Sequence, residues 1–262
     1  MNISLKGKTA VVAGSTGGIG YATALEMANL GARVILIARN EDKLIQVKKE
    51  LEEISNENHS YIVADFSKPS EVEAAVTSFL KTGGPVDILV NNTGGPPGGP
   101  ASEATPADYV SAFEMHLLCN HIITTACIPG MKASGGGRII NVISTSVKQP
   151  LPNLGVSNTI RGAVANWAKT LANELGPHGI TVNNVLPGAT QTGRLESIAS
   201  KKAEKTGSTK EDALAAMAQA VPLRRIGDPS EIAAGICFLA SPAASYISGI
   251  NLPVDGGRTS SL

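Results

Sequence analysis

The sequence predicts a doubly wound α/β fold in a single domain. Two observations carry this. Short apolar runs alternate with longer amphipathic ones along most of the chain, and regular strand–helix alternation requires parallel strands joined by right-handed crossovers. A glycine-rich stretch, "GSTGGIG" at 14–20, directly follows the first apolar run and opens the first amphipathic one. A length of 262 residues fits one large domain or two small ones. No composition shift marks a boundary, so the prediction is one domain over residues 1–262.

The elements follow in order. "TAVVAG" (9–14) is a buried strand, and "GIGYATALEMANLGA" is a helix closed by Gly31. "RVILIA" (33–38) is the next strand, before the charged helix "NEDKLIQVKKELEEIS". "SYIVAD" is a strand, "KPSEVEAAVTSFLKTGG" a helix, and "VDILVNN" (86–92) the fourth strand. "TGGPPGGP" (93–100) is a loop, because its proline and glycine density forbids regular structure. Thr105 and Pro106 form a cap and first-turn pair that opens a helix to about Met131. A strand at 138–143 leads to the long helix "LGVSNTIRGAVANWAKTLANEL" (154–175), and "GITVNNVLPG" (179–188) is strand and turn. Residues 189–222 break the rhythm and read as one or two short inserted helices. "GDPSEIAAGICFLAS" is a helix with Asp228 as cap, Pro229 in the first turn and Glu231 completing a capping box; "GINLPVDGG" is the last strand.

Composition narrows the function. The chain is 42% hydrophobic and 17% charged with zero formal net charge, enough for a substantial core and without the basic excess of a nucleic-acid or membrane-surface binder. Aromatics are 3%, which disfavours a stacking platform for bases. Cys119, Cys127 and Cys237 have no metal spacing and fit reduced, buried thiols in a cytoplasmic protein. The four histidines form no paired zinc motif, so no metal is expected. The first residues carry no signal-peptide pattern, and no uncharged apolar stretch reaches membrane-spanning length.

The chemistry starts at the first turn. Gly14, Gly18 and Gly20 have the spacing G-x3-G-x-G. Glycines there let backbone amides approach a pyrophosphate, which the following helix N-terminus also favours. With "VAD" at 63–65, "VNNTG" at 90–94, "IINVIS" at 139–144, "LPG" at 186–188 and "VDGG" at 254–257, the chain resembles the short-chain dehydrogenase/reductase family over essentially its whole length. It looks most like the 3-oxoacyl-acyl-carrier-protein reductase type. The resemblance implies a seven-stranded parallel sheet of Rossmann type between two layers of three helices, and the expected strand order is 3-2-1-4-5-6-7. It implies that Gly14, Ser15, Thr16, Gly18, Ile19 and Gly20 cradle a dinucleotide and that Asp65 and Phe66 lie at the adenine. Asn92, Thr93 and Gly94 would run along the adenosine ribose and backbone, and Pro187, Gly188 and Thr190 would meet the nicotinamide. It also implies a homotetramer packed through helices 106–131 and 156–175, where Ala163, Ala165, Ala168 and Ala172 suit close helix approach and Trp167 an anchor.

Cofactor choice rests on the end of the second strand. An acid there binds the ribose hydroxyls of NAD and repels a 2′-phosphate. The sequence has Ala38 and then Arg39, and a guanidinium pairs well with phosphate. The expected cofactor is therefore NADP, with NAD the alternative.

The family's active site is an Asn, a Ser and a Tyr-x3-Lys pair. Here the Asn position falls on His116, the Ser position on Ser144, the Tyr position on Ser157 and the Lys position on Arg161. Tyr21, Tyr61, Tyr109 and Tyr246 occupy none of these places. Arg161 keeps its charge and is expected to bind the nicotinamide ribose. Ser144 and Ser157 are expected to orient a substrate oxygen or a water, since an unassisted alcohol is too weak an acid to replace the tyrosine. His116, with an ordinary pKa of about 6.5, is the candidate proton source, directly or through water and a serine. A packed, hydrogen-bonded histidine is the competing reading. Two functions stay open: an NADP-binding oxidoreductase that reduces a ketone or 3-oxoacyl-type small molecule through a non-standard relay, and a silent nucleotide-binding regulatory or partner subunit. Halohydrin-dehalogenase-like chemistry is disfavoured, because the glycine loop is intact and the tyrosine absent. Residues 189–222, which cover the pocket in this family, do not name the substrate.

Overall fold

The computed structural model describes residues 1–261. The strands are β1 (Thr9–Ala13), β2 (Arg33–Ala38), β3 (Ser60–Val63), β4 (Ile88–Asn91), β5 (Gly137–Val142), β6 (Ile180–Pro187) and β7 (Asn251–Val254). They form one parallel sheet in the expected order β3-β2-β1-β4-β5-β6-β7. Successive strand residues point to opposite faces, and this divides the core. Val12, Leu36, Val90 and Ile140 pack against helices α1 (Gly18–Asn29), α2 (Glu41–Ile54) and α9 (Pro229–Ala240) through Met27, Leu44, Leu51 and Ile236. Val11, Ile35, Leu89 and Ile139 face α3 (Pro69–Gly83), α5 (Cys119–Ala133) and α6 (Gly155–Leu175) through Val76, Ile123, Met131 and Leu171. No helix among the described residues is long and apolar enough to cross a membrane.

Four asparagines cross the right half of the sheet in register. Asn91, Asn141, Asn184 and Asn251 are direct partners on β4, β5, β6 and β7. Each side-chain nitrogen donates to the next side-chain oxygen: Asn91 to Asn141 at 2.9 Å, Asn141 to Asn184 at 3.0 Å and Asn184 to Asn251 at 2.8 Å. Buried amides of this kind must pair to be tolerated.

The predicted helix from 106 to Met131 is interrupted. α4 (Pro106–Phe113) runs into a π-helical turn at Glu114–Leu118 before α5 begins. Such single turns often occur at functional sites, and this one carries His116. The glycine–proline loop is irregular, as expected, yet it is anchored. The Gly99 amide donates to Asn153 and the Gly155 amide to Gly99, at 2.8 and 3.0 Å. Residues 189–222 supply two helices, α7 (Gly193–Thr206) and α8 (Lys210–Gln219), which pack on each other through Ala199, Ala203 and Ala213. The insertion leaves and rejoins the body at a narrow neck, where Gln191 donates to Gly227 and Gly227 to Ala189.

Candidate active site

The glycine-rich turn lies where β1 meets α1. Gly14 and Gly18 have φ of +61° and +53°, a left-handed region that favours glycine. A Cβ on Gly14 would come within 2.6 Å of the Asn92 carbonyl oxygen, and one on Gly20 would collide with the Gly14 carbonyl. Asn92 ties this turn to β4, its side-chain nitrogen donating to Ala13 and Gly14 at 3.2 and 3.4 Å. Five other helices are capped by a side chain, from Asn40, Thr105, Thr192, Thr209 or Asp228. α1 starts from Gly17 without one, as α3 and α6 start without one; only α1 follows the glycine turn, where its first-turn amides can meet a ligand. A Cβ on Gly94, after β4, would meet nothing within 4 Å. These features fit a dinucleotide pyrophosphate. Thr16 and Ile19 are half-buried in the same turn. Two expected contacts are narrower than the sequence suggests. The Ser15 hydroxyl is buried and donates to the Ile37 carbonyl, and the Phe66 ring sits in the core. Both can serve the cradle only through their main chain.

After β3, Asp65 accepts from the Ser67 amide and hydroxyl, both at 2.9 Å, which holds its carboxyl below the usual range. Arg39 is exposed at the end of β2 and forms no ion pair among the described residues. At the other end, Pro187 and Gly188 close β6, and buried Thr190 donates to the Gly188 carbonyl at 3.2 Å.

Ser144 and Arg161 both lie at the carboxyl end of β5. Ser144 follows that strand, and its hydroxyl oxygen accepts from the Ser146 amide at 3.1 Å, leaving the hydroxyl proton free to donate. Ser157 stands half-buried in the first turn of α6, and its hydroxyl has no protein partner among the described residues. One turn later Arg161 is 5% exposed, and its Nη1 donates to the Val142 carbonyl at 3.3 Å. Burial, helped by nearby Arg194, pushes the Arg161 pKa down to about 10, so the guanidinium stays charged at neutral pH.

His116 is fully buried, with Nδ1 2.6 Å from the Thr93 hydroxyl and Nε2 without a partner. Burial first, and then the charges of Arg161 and Arg194, push its pKa down to about 2. Near neutral pH it is a neutral imidazole, which removes the imidazolium acid expected from the sequence. The tyrosines offer no substitute. Tyr21 donates to Glu50 and Tyr61 to Glu41, Tyr109 packs with Ala112, Val156 and Ile160, and Tyr246 is fully exposed. Sequence reasoning missed Arg194, in the first turn of α7, whose Nη2 donates to the Pro96 carbonyl.

A family model described as enoyl-(acyl carrier protein) reductase matches residues 13–259. The chain belongs to the short-chain dehydrogenase/reductase family. Within the short-chain dehydrogenases/reductases it is 34% identical over 257 residues to the 3-oxoacyl-[acyl-carrier-protein] reductase of Vibrio cholerae, covering 97% of this chain and 98% of that one. It is 32% identical over 262 residues to the 7alpha-hydroxysteroid dehydrogenase of Escherichia coli K12, covering 100% and 98%. The L-sorbose reductase of Gluconobacter frateurii, solved with NADPH and L-sorbose, superposes with a TM-score of 0.94 at 32% identity over 100% of both chains. The family pattern of Asn, Ser, Tyr and Lys is the frame in which the sequence reading sets His116, Ser144, Ser157 and Arg161.

Proposed function

We propose that this short-chain dehydrogenase/reductase is an NADP-dependent reductase of a small ketone or 3-oxoacyl-type substrate that works without a side-chain general acid. The observation that carries the reading is Arg161, a buried guanidinium beside the end of β5, joined to an uncapped glycine cradle that fits a dinucleotide. The bound nicotinamide supplies the hydride. Ser144 and Ser157 donate hydrogen bonds to the carbonyl oxygen. The Arg161 charge stabilises the negative charge that develops there, which is worth more in a dry site than in water. His116 is a positioning residue that holds Thr93, and the final proton comes from water. General acid catalysis contributes typically about 10²–10⁴-fold, so turnover is slow beside a tyrosine-bearing relative. The three cysteines are free and buried, which supports a cytoplasmic setting.

The test is NADPH oxidation against ketones and 3-oxoacyl thioesters by the parent and by Ser157→Tyr/Arg161→Lys. A slow parent and a faster double variant are expected. A parent that binds NADPH tightly yet turns over nothing, with no gain in the double variant, selects the silent-subunit reading, which the neutral His116 favours. Cofactor choice is tested by calorimetry. NADPH should bind more tightly than NADH, with Arg39→Ala removing most of the difference; equal affinities in the parent would remove the role given to Arg39.

A further inference from the structure

Arg161 is charged, 5% exposed, and has one protein acceptor, the Val142 carbonyl at 3.3 Å. No carboxylate pairs with it among the described residues. A buried charge without a counter-charge is costly, and native sites supply one. Arg194 adds a second cation: its guanidinium lies against Gly95 and Pro96, just after the Thr93 that holds His116, and its charge opposes that of Arg161. Its own position is unfavourable, because a helix N-terminus repels positive charge, and α7 begins only one residue before it. It is held there by the Pro96 carbonyl of the glycine–proline loop. A third polar atom, His116 Nε2, is buried among these charges with no partner. The neighbourhood therefore holds two guanidiniums and an orphaned ring nitrogen, and no anion.

We propose that the carbonyl substrate itself carries a carboxylate, and that Arg194 binds it while Arg161 remains the second positive charge beside the reacting oxygen. This rests on the reductase reading above and gives its substrate class: an oxo acid rather than a neutral ketone. A planar guanidinium matches a carboxylate in bidentate fashion. The phosphate of an acyl-carrier arm lies too many bonds from the reacting carbonyl to reach a site beside Ser144. The pyrophosphate and the 2′-phosphate of the dinucleotide are the other sources of negative charge, and the α1 amides and Arg39 are assigned to them.

The experiment uses the full chain saturated with NADPH. Acetoacetate and levulinate are titrated against their methyl esters, following the nicotinamide fluorescence of the ternary complex. At least one acid should bind about ten- to hundredfold more tightly than its ester, as a charge-assisted hydrogen bond provides. Arg194→Gln should bring acid and ester to within about twofold of each other, with NADPH affinity unchanged. Equal binding of acid and ester by the parent overturns the proposal, as does a preference that survives Arg194→Gln. Arg194→Gln weakening NADPH instead of the acid assigns the cations to the dinucleotide and also overturns it. Tight acid binding without NADPH oxidation leaves the carboxylate site standing and sinks the reductase reading alone.

Discussion

His116 is a titratable group shut away from water, facing two guanidiniums and hydrogen-bonded to Thr93. Its folded pKa lies near 2, against about 6.5 in an unfolded chain. Below that unfolded value the unfolded chain takes up a proton that the folded one refuses, so stability is complete above about pH 6.5 and falls as the pH drops. The slope for one such histidine is ~1.4 kcal/mol per pH unit. His59 acts with the same sign. Its Nδ1 accepts from the Val34 amide at 3.0 Å, and burial lowers its pKa. Urea denaturation between pH 6.5 and 4.5, above the range where carboxylates dominate, should show a steep loss in the parent and a shallower one in His116→Asn. Equal slopes would mean that His116 titrates normally in the folded chain. At this scale Ser144, Ser157 and Arg161 were candidates because the family resemblance fixes their positions on one strand end and one helix turn. Arg194 was not. Its defining contact reaches a carbonyl 98 residues away in sequence, and on a lysine-rich helix it reads like any solvated cation. The depressed pKa of His116 was equally hidden, since it depends on burial and on that same distant charge.

Gly155 shows how one helix end is placed. A Cβ there would collide with the Ala101 main chain, because the start of α6 lies directly on the turn that follows the glycine–proline loop. The same contact carries Ser157, two residues on, into its place. Gly155→Ala should cost about 1–3 kcal/mol, the usual range for overpacking, and should weaken ternary-complex formation more than NADPH binding alone. A thermal melt and two titrations check this; an unchanged melting temperature would mean the loop gives way freely. The α7–α8 hairpin is the other distinctive element. Three alanines form its shared core, and a narrow neck joins it to the body. Few buried apolar contacts imply a low local opening energy. Amide exchange should therefore be faster in 193–219 than in β1, β4 or β5, and equal protection would contradict the argument. The alternating elements were readable from period and punctuation. The π-turn was not, because shifting one backbone hydrogen-bond register leaves no mark in composition, and the anchoring of the glycine–proline loop depends on a meeting that no local pattern records.

For the molecule as a whole, assembly turns on the apolar side chains left exposed. Val110 and Phe113 on α4 are 56% and 43% exposed. Of the residues expected at a helix interface, Ala165, Ala168 and Ala172 are buried in the chain's own core, which leaves Ala163 and Trp167, half-buried on α6. We expect sedimentation of the parent to show a tetramer with two-fold symmetry, and Val110→Glu/Phe113→Glu to shift it to a smaller species. A monomeric parent at micromolar concentration would overturn this.

The asparagine ladder has a consequence for how the sheet is assembled. Apolar strands tolerate misalignment, because one valine or isoleucine packs much like another. Slipping β5 by one residue would set Asn91 and Asn184 against Ile140 or Val142, stranding buried amides at about 1–3 kcal/mol each. The ladder thus acts as a proofreading device, rejecting wrong alignments among strands whose pairing is long-range and intrinsically slow. Asn141→Leu, which removes the central rung, should populate misaligned intermediates and add a slow phase to refolding, while a chain that refolds as cleanly as the parent would show that the strands find their register by other means.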